Sequence, residues 1–196
     1  RLAVAFDARD GRQTTLLDLV SGQDFAESVP IWALFHLSLR SADHLLERTV
    51  SSRDFLRLWV TCTPGADTLT MLFDQCIAGE LSVECGVAVG PDGELRFSAR
   101  ATVGTDEHVA GLRFPELACR PLLSGDGSTD ALVLPSHEGV VVPRPGAADI
   151  NRTSIYPEAT FAQFTAYYGE KGGLYLGAHD PDGHSKRLHV RCTRDR

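Results

Sequence analysis

The chain has 196 residues, of which 43% are hydrophobic and 23% are charged, and its formal net charge is −7 at pH 7. This balance is that of a globular domain and excludes wholesale disorder. The acidic charge and the lack of any basic cluster argue against nucleic acid or a membrane surface as a partner, and no apolar run approaches the roughly 20 residues of a membrane-spanning helix.

Alternation of apolar and polar residues predicts β-strands along most of the chain. A first strand at 2–6 ends before an Asp-Gly turn at 10–11. The clearest hairpin runs from Val83 to Val103 through a Gly-Pro-Asp-Gly turn, because Asp-Gly supplies the positive φ of a tight turn. Shorter strands are predicted at 31–39, 56–61, 69–73, 132–134 and 140–142.

The C-terminal third predicts a second hairpin. Its strand at 173–178 leads into an Asp-Pro-Asp-Gly turn at 180–183 and returns through Leu188 and Val190. Residues 158–168 are interpreted as a strand with both faces covered, although their aromatic spacing also fits a helix.

The sequence is compatible with two secondary structures in one segment. Residues 41–50 fit a short helix with Ser41 as its N-cap, and they fit equally a loop that leads into a strand.

These elements predict an all-β fold, an antiparallel two-sheet β-sandwich with few or no helices. We expect residues 1–196 to form a single sandwich domain, an N-terminal excerpt of a longer multidomain protein. The five cysteines are scattered without a C-x-x-C pair, which predicts small buried side chains and neither a disulfide framework nor a zinc site.

The densest chemistry lies at 179–184, with the sequence His-Asp-Pro-Asp-Gly-His. An Asp-x-Asp-Gly pattern is found in calcium loops, but the closing Glu of such a loop would fall at Arg191. We therefore expect no metal, and favour a β-turn in which Asp side chains accept hydrogen bonds from turn N–H groups over a ligand-facing loop.

A second candidate is the segment Ser136-His137-Glu138-Gly139. A His-Glu pair could act in general acid–base chemistry. Adjacent residues of a strand point to opposite faces, however, so a pair of turn residues is the favoured interpretation.

The C-terminal third resembles the β-sandwich domain of a bacterial family of glycoside-hydrolase-like proteins, of the galactose-mutarotase-like supersandwich type. The residues that carry the resemblance are Tyr156-Pro157, Gln163-Phe164, Gly-Leu-Tyr-Leu at 173–176, His179-Asp180 and Lys186. The likeness extends loosely over nearly the whole chain, but the specific motifs lie within about 155 to 187.

The resemblance implies a non-catalytic accessory domain of a carbohydrate-active enzyme. Its partner would be a catalytic barrel domain of the same polypeptide, which would carry the paired carboxylates of glycoside hydrolysis, with carbohydrate as a further partner. No catalytic residue and no cofactor are therefore assigned to this chain. Candidate ligand or interface residues are Tyr156, His179 and Asp180, joined by His137. In a purely structural alternative the motif only fixes the hairpin, with Tyr175 in the core and Asp180 capping the turn.

Two other functions remain open. A stand-alone carbohydrate-binding module would expose aromatic rings on which sugars stack. The rings considered are Trp32, Trp59 and Tyr167. An aldose-epimerase-like enzyme would need an acid and a base within hydrogen-bond reach in one cleft. The groups considered are His137 or His179 as the acid and Glu138 or Asp180 as the base.

Overall fold

The computed structural model describes residues 2–27, 32–63, 67–158, 160 and 162–192. The chain divides into two compact units, Arg1–Cys119 (unit 1) and Arg120–Arg196 (unit 2). The described residues form antiparallel strands and two short 3-10 turns, with no α-helix among them, so the all-β prediction is confirmed. The extent of the domain, 1–196, stays a prediction.

Unit 1 is a β-sandwich. Its strands are β1 (Leu2–Phe6), β2 (Gln13–Asp18), β3 (His36–Ser41), β4 (Glu47–Ser51), β5 (Phe55–Cys62), β6 (Thr68–Cys76), β7 (Leu81–Val89), β8 (Leu95–Val103) and β9 (Glu107–Arg113). They form a β1-β2 hairpin, a three-stranded sheet in the order β4-β3-β9 and a four-stranded sheet in the order β5-β6-β7-β8. A 3-10 turn, Ser52–Asp54, joins β4 to β5.

The core of unit 1 lies between the two larger sheets. Leu37 and Leu39 of β3 share one buried cluster with Phe73 of β6 and Val83 of β7. Phe35 packs edge to face against Phe73, with ring centroids 5.1 Å apart. Burial of each such side chain contributes about 1.5–3 kcal/mol, so this inner layer fixes which face of the four-stranded sheet points outwards.

The Val83–Val103 hairpin is confirmed as β7 and β8, which pair from Leu81 and Val103 to Val89 and Leu95. Gly93 in its turn has φ 82°, the left-handed conformation that glycine adopts without strain. The segment at 41–50 is a turn followed by β4, so the loop-into-strand alternative is the one observed.

Unit 2 contains β10 (Ala131–Leu134), β11 (Val140–Pro143), β12 (Ile150–Tyr156), β13 (Phe164–Gly169), β14 (Gly172–Gly177) and β15 (Lys186–Cys192), with a 3-10 turn at Pro145–Ala147. Four strands form a sheet in the order β11-β10-β13-β14, and β12 pairs with β15. Leu132 and Leu134 of the first sheet share a buried cluster with Ile150 of the second.

The predicted second hairpin is wrong in its pairing. Both strands and the turn exist, but β14 pairs with β13 and β15 pairs with β12. The turn at 180–183 therefore carries the chain from one sheet of unit 2 to the other. The strand predicted at 158–168 begins only at Phe164, and Tyr168 is 43% exposed, so one of its faces is uncovered. Residues 159 and 161 lie outside the described part.

Candidate functional site

The sequence-predicted site residues lie at one end of unit 2. Because β10, β13 and β14 alternate in direction, the end of β10, the start of β13 and the end of β14 meet there. His137 follows β10 and His179 follows β14. Tyr156 and Lys186 are register partners in the second sheet, and a 2.8 Å hydrogen bond between Ser136 and Ser154 hydroxyls joins the two sheets near this end.

The Asp180 carboxylate is the centre of the arrangement. Its Oδ2 accepts hydrogen bonds from the Lys186 ammonium at 2.6 Å and from His184 Nδ1 at 2.8 Å. The backbone N–H groups of Asp182 and His184 donate to its two oxygens at 2.9 and 3.0 Å. The prediction that an Asp side chain satisfies the N–H groups of this turn is confirmed.

A side-chain amide holds the backbone of the same residue. Gln163, just before β13, donates from Nε2 to the Asp180 carbonyl at 3.2 Å and accepts from the Asp180 N–H at 3.1 Å. We call Gln163, Asp180, His184 and Lys186 the turn clamp. The clamp ties the connection between the two sheets to the start of β13.

The hydrogen bonds change the basicity of Asp180. Hydrogen bonds from Lys186 and His184 hold the pKa of the Asp180 carboxyl well below its usual range. A carboxylate stabilised in this way is a weak proton acceptor at neutral pH, because a general base works best with a pKa near the working pH. Asp180 therefore lacks the electrostatic setting of a catalytic base.

A cation would have to compete for the same oxygens. Asp180, Asp182 and His184 can each place one ligand atom within 4.8 Å of the others. However, Asp180 Oδ2 already accepts from an ammonium and an imidazole. Lys186 thus offsets the charge of the Asp180 carboxylate, and a cation that bound Asp180 Oδ2 would have to displace these two hydrogen bonds.

His179 belongs to a stack of rings rather than to the turn clamp. Its Nε2 lies 2.8 Å from the Tyr175 hydroxyl, and the two rings are stacked with centroids 5.8 Å apart. Tyr175 in turn stacks on Phe164 at 5.0 Å. Tyr175 is 57% exposed, so the expectation that it fills the core is wrong.

Tyr156 and His137 lie at the same end of unit 2 but in different environments. The Lys186 ammonium lies 5.6 Å from the centroid of the Tyr156 ring, a cation–π distance. His137 is exposed at φ 52°, beside exposed Glu138 in a turn that Gly139 N–H closes on the Ser136 carbonyl at 2.9 Å. The interpretation of this segment as a turn is confirmed.

The three aromatic residues considered for sugar stacking differ in exposure. Tyr167 packs on the core of unit 2, and its hydroxyl donates to the Pro121 carbonyl at 2.8 Å. Trp32 is half-buried. Trp59, on strand β5 of unit 1, is 55% exposed and is the one of the three that offers its ring to solvent.

Gln163 and Lys186 stand among the motif residues of the sequence, but their types and spacing assign them no role. The motif is the one sequence signal that marks Gln163. Its partner, Asp180, lies 17 positions further along the chain in the turn after β14, so sequence spacing does not predict their hydrogen bond.

No family model and no curated protein matches this chain. Within the described ranges, no helix has the length and apolar character to cross a membrane.

Proposed function

We propose that this chain is a non-catalytic accessory β-sandwich module of a carbohydrate-active enzyme, which packs on a catalytic barrel domain of the same polypeptide. The observation that carries the proposal is the occupied state of the Asp180 carboxylate. The motif at 155–187 brings an acid, two imidazoles and an ammonium to one end of unit 2. The carboxylate, the ammonium and one nitrogen of each imidazole form hydrogen bonds within the turn clamp or with Tyr175. We therefore assign these residues the structural role of holding the 179–184 turn, and no catalytic role.

A surface suited to packing lies on the four-stranded sheet of unit 2. One face of this sheet carries Val133, Val141, Ala166, Tyr168 and Tyr175, which alternate with the residues that line the core. Val141 is 59% exposed and Tyr175 is 57% exposed. We call this the aromatic face. A contiguous exposed apolar surface is typical of an interaction site, and a barrel of the same polypeptide is the occupant we propose.

The first test is an activity assay. The purified chain is incubated with a panel of aryl glycosides and oligosaccharides, with Asp180→Asn as the matched variant. We expect no sugar release from either protein. Release by the unaltered chain that Asp180→Asn abolishes would overturn the proposal.

The second test concerns packing. The chain is co-expressed with the barrel domain encoded in the same gene, and their association is measured by sedimentation. We expect Tyr175→Ser to weaken the complex, while Leu45→Ser, at an exposed leucine of unit 1, leaves it unchanged. A gene that encodes no barrel, or a complex indifferent to Tyr175→Ser, contradicts the proposal.

The exposure of Trp59 favours a second candidate, a stand-alone carbohydrate-binding module. It differs from the first in requiring no barrel. A chain that binds polysaccharide with the same affinity whether or not another domain is attached would support it.

A further inference from the structure

The outward face of the four-stranded sheet of unit 1 has a composition unlike the aromatic face. Its inward residues line the core, so the alternate residues of β5 to β8 point to the other side. Strand register places them in rows across the sheet. One row is Trp59, Leu72, Glu84 and Arg100, and the next is Thr61, Thr70, Gly86 and Ser98. We call these two rows, with Arg57 and Asp74 beside them, the platform.

The aromatic side chain of the platform stands at its edge strand. Trp59 is 55% exposed although a tryptophan buries a large apolar area when it packs. Its neighbour across the strand pair is the half-buried Leu72. An indole with one open flank and an apolar support beside it is suited to stacking against a flat ligand that is apolar on one face.

The charged groups of the platform are balanced and available. The platform contains two positive side chains, Arg57 and Arg100, and two negative ones, Asp74 and Glu84, so its net charge is zero. Arg57, Glu84 and Arg100 are exposed, and within the described part of the chain their side chains make no hydrogen bond or ion pair. Uncommitted donors and acceptors of both signs suit a neutral ligand rich in hydroxyl groups, and argue against a polyanion.

The second row of the platform contains one residue without a side chain. Gly86 lies in the interior of β7, between Thr70 and Ser98, without a positive φ that would require glycine. A Cβ at this position would lie 2.5 Å from the Ser98 hydroxyl, so the close approach of Ser98 accounts for the glycine. The second row therefore presents the small Ser98 hydroxyl beside the Trp59 row.

We propose that the platform binds a neutral oligosaccharide, with a pyranose ring stacked on Trp59 and its hydroxyl groups hydrogen-bonded by Arg57, Glu84 and Arg100. The inference rests on the second candidate function, carbohydrate binding, and names the ligand class and the site for it. Four strands span about 14 Å at a spacing of about 4.8 Å, which suits several linked sugars rather than one.

The test is affinity electrophoresis and calorimetry of the purified chain with soluble xylan, β-glucan, galactan and starch. We expect one of these to bind and Trp59→Ala to raise the Kd about tenfold or more, because a tenfold change corresponds to about 1.4 kcal/mol, within the range of an aromatic stacking contact. Leu45→Ala removes an apolar side chain that is 80% exposed in the turn between β3 and β4, and it should leave the Kd unchanged.

A steric variant tests the second row of the platform. Gly86→Thr places a branched side chain, compatible with a strand, where the sugar would lie. A Cβ at Gly86 would meet the Ser98 hydroxyl, so the substitution is made in a Ser98→Ala background and compared with Ser98→Ala alone. We expect Gly86→Thr to abolish binding while far-ultraviolet circular dichroism stays that of the folded chain.

The outcomes separate the two proposals. Binding that survives Trp59→Ala and Gly86→Thr overturns the platform and leaves the accessory role in place. Absence of binding to every polysaccharide, in a chain that still associates with its barrel, also overturns the platform and leaves the accessory role in place. Binding lost in both variants, in a chain that associates with no barrel, supports the platform and removes the accessory role.

Discussion

A buried carboxylate holds the long loop that opens unit 2. Asp130, which is 2% exposed, accepts from the backbone N–H of Leu123 at 2.7 Å and of Ser124 at 2.9 Å. Asp130→Ala removes the carboxylate that accepts these two buried hydrogen bonds. Removing one partner of a buried hydrogen bond costs about 1–3 kcal/mol, so we expect the variant to lose about 2–6 kcal/mol of unfolding free energy. This is a large share of the ~5–15 kcal/mol that stabilises an ordinary domain.

The chain provides separate optical probes for the two units. Both tryptophans, Trp32 and Trp59, lie in unit 1, whereas all four tyrosines lie in unit 2. Urea unfolding is therefore followed by tryptophan fluorescence and by near-ultraviolet circular dichroism in the tyrosine band. With a denaturant slope of ~1 kcal/mol per molar for a small unit, the tyrosine midpoint should fall by about 2 M or more in Asp130→Ala.

The control lies in the same loop. Asp126 accepts from the Ser128 N–H at 2.9 Å, but this hydrogen bond is exposed to solvent. Asp126→Ala should therefore leave the tyrosine midpoint close to that of the unaltered chain. Equal midpoints for Asp130→Ala and Asp126→Ala would refute the reasoning, and an equal shift of the tryptophan signal would show that the effect is not local to unit 2.

Two further predictions follow from the titrating groups. Because the pKa of Asp180 is lowered in the folded chain, its turn clamp contributes stability that is fully present above the ordinary carboxyl range and is lost progressively as the pH falls from that range to the lowered value. The NMR signal of the Lys186 ammonium should show this transition, and a transition near pH 4, the ordinary range, would contradict it. Burial raises the pKa of Cys85 to about 12, so a thiol-reactive dye should label exposed Cys62 at once and Cys85 only on unfolding. Equal labelling rates would count against this burial.

The sequence was informative where structure is local. The hairpin of β7 and β8 was predictable because the strands alternate strictly and Asp-Gly sits between them, so one short segment contains the whole cause. Likewise Asp180 was predictable as a turn acceptor, since its donors at Asp182 and His184 lie within four residues. Such features depend on side-chain reach rather than on the rest of the fold.

Features that depend on distant partners could not be predicted. The strands on either side of the 180–183 turn pair with β13 and β12, and alternation alone does not specify which strand lies next to which. The sequence likewise does not predict that Cys85 is buried and Cys62 exposed, because the position of each residue in its strand decides whether it faces the core. Trp59 and Tyr175 are both exposed, although aromatic residues in strands ordinarily contribute to a core.

The scarcity of lysine determines how this protein can be attached to a surface. The sequence has only Lys171 and Lys186. Lys186 donates to the Asp180 carboxylate and to the His184 carbonyl, which reduces its nucleophilicity, whereas Lys171 is exposed in the turn between β13 and β14. Of the two lysine side chains, amine-directed coupling should thus select Lys171, at the end of unit 2 away from the turn clamp. Immobilised or cross-linked through that side chain, the molecules would share one orientation.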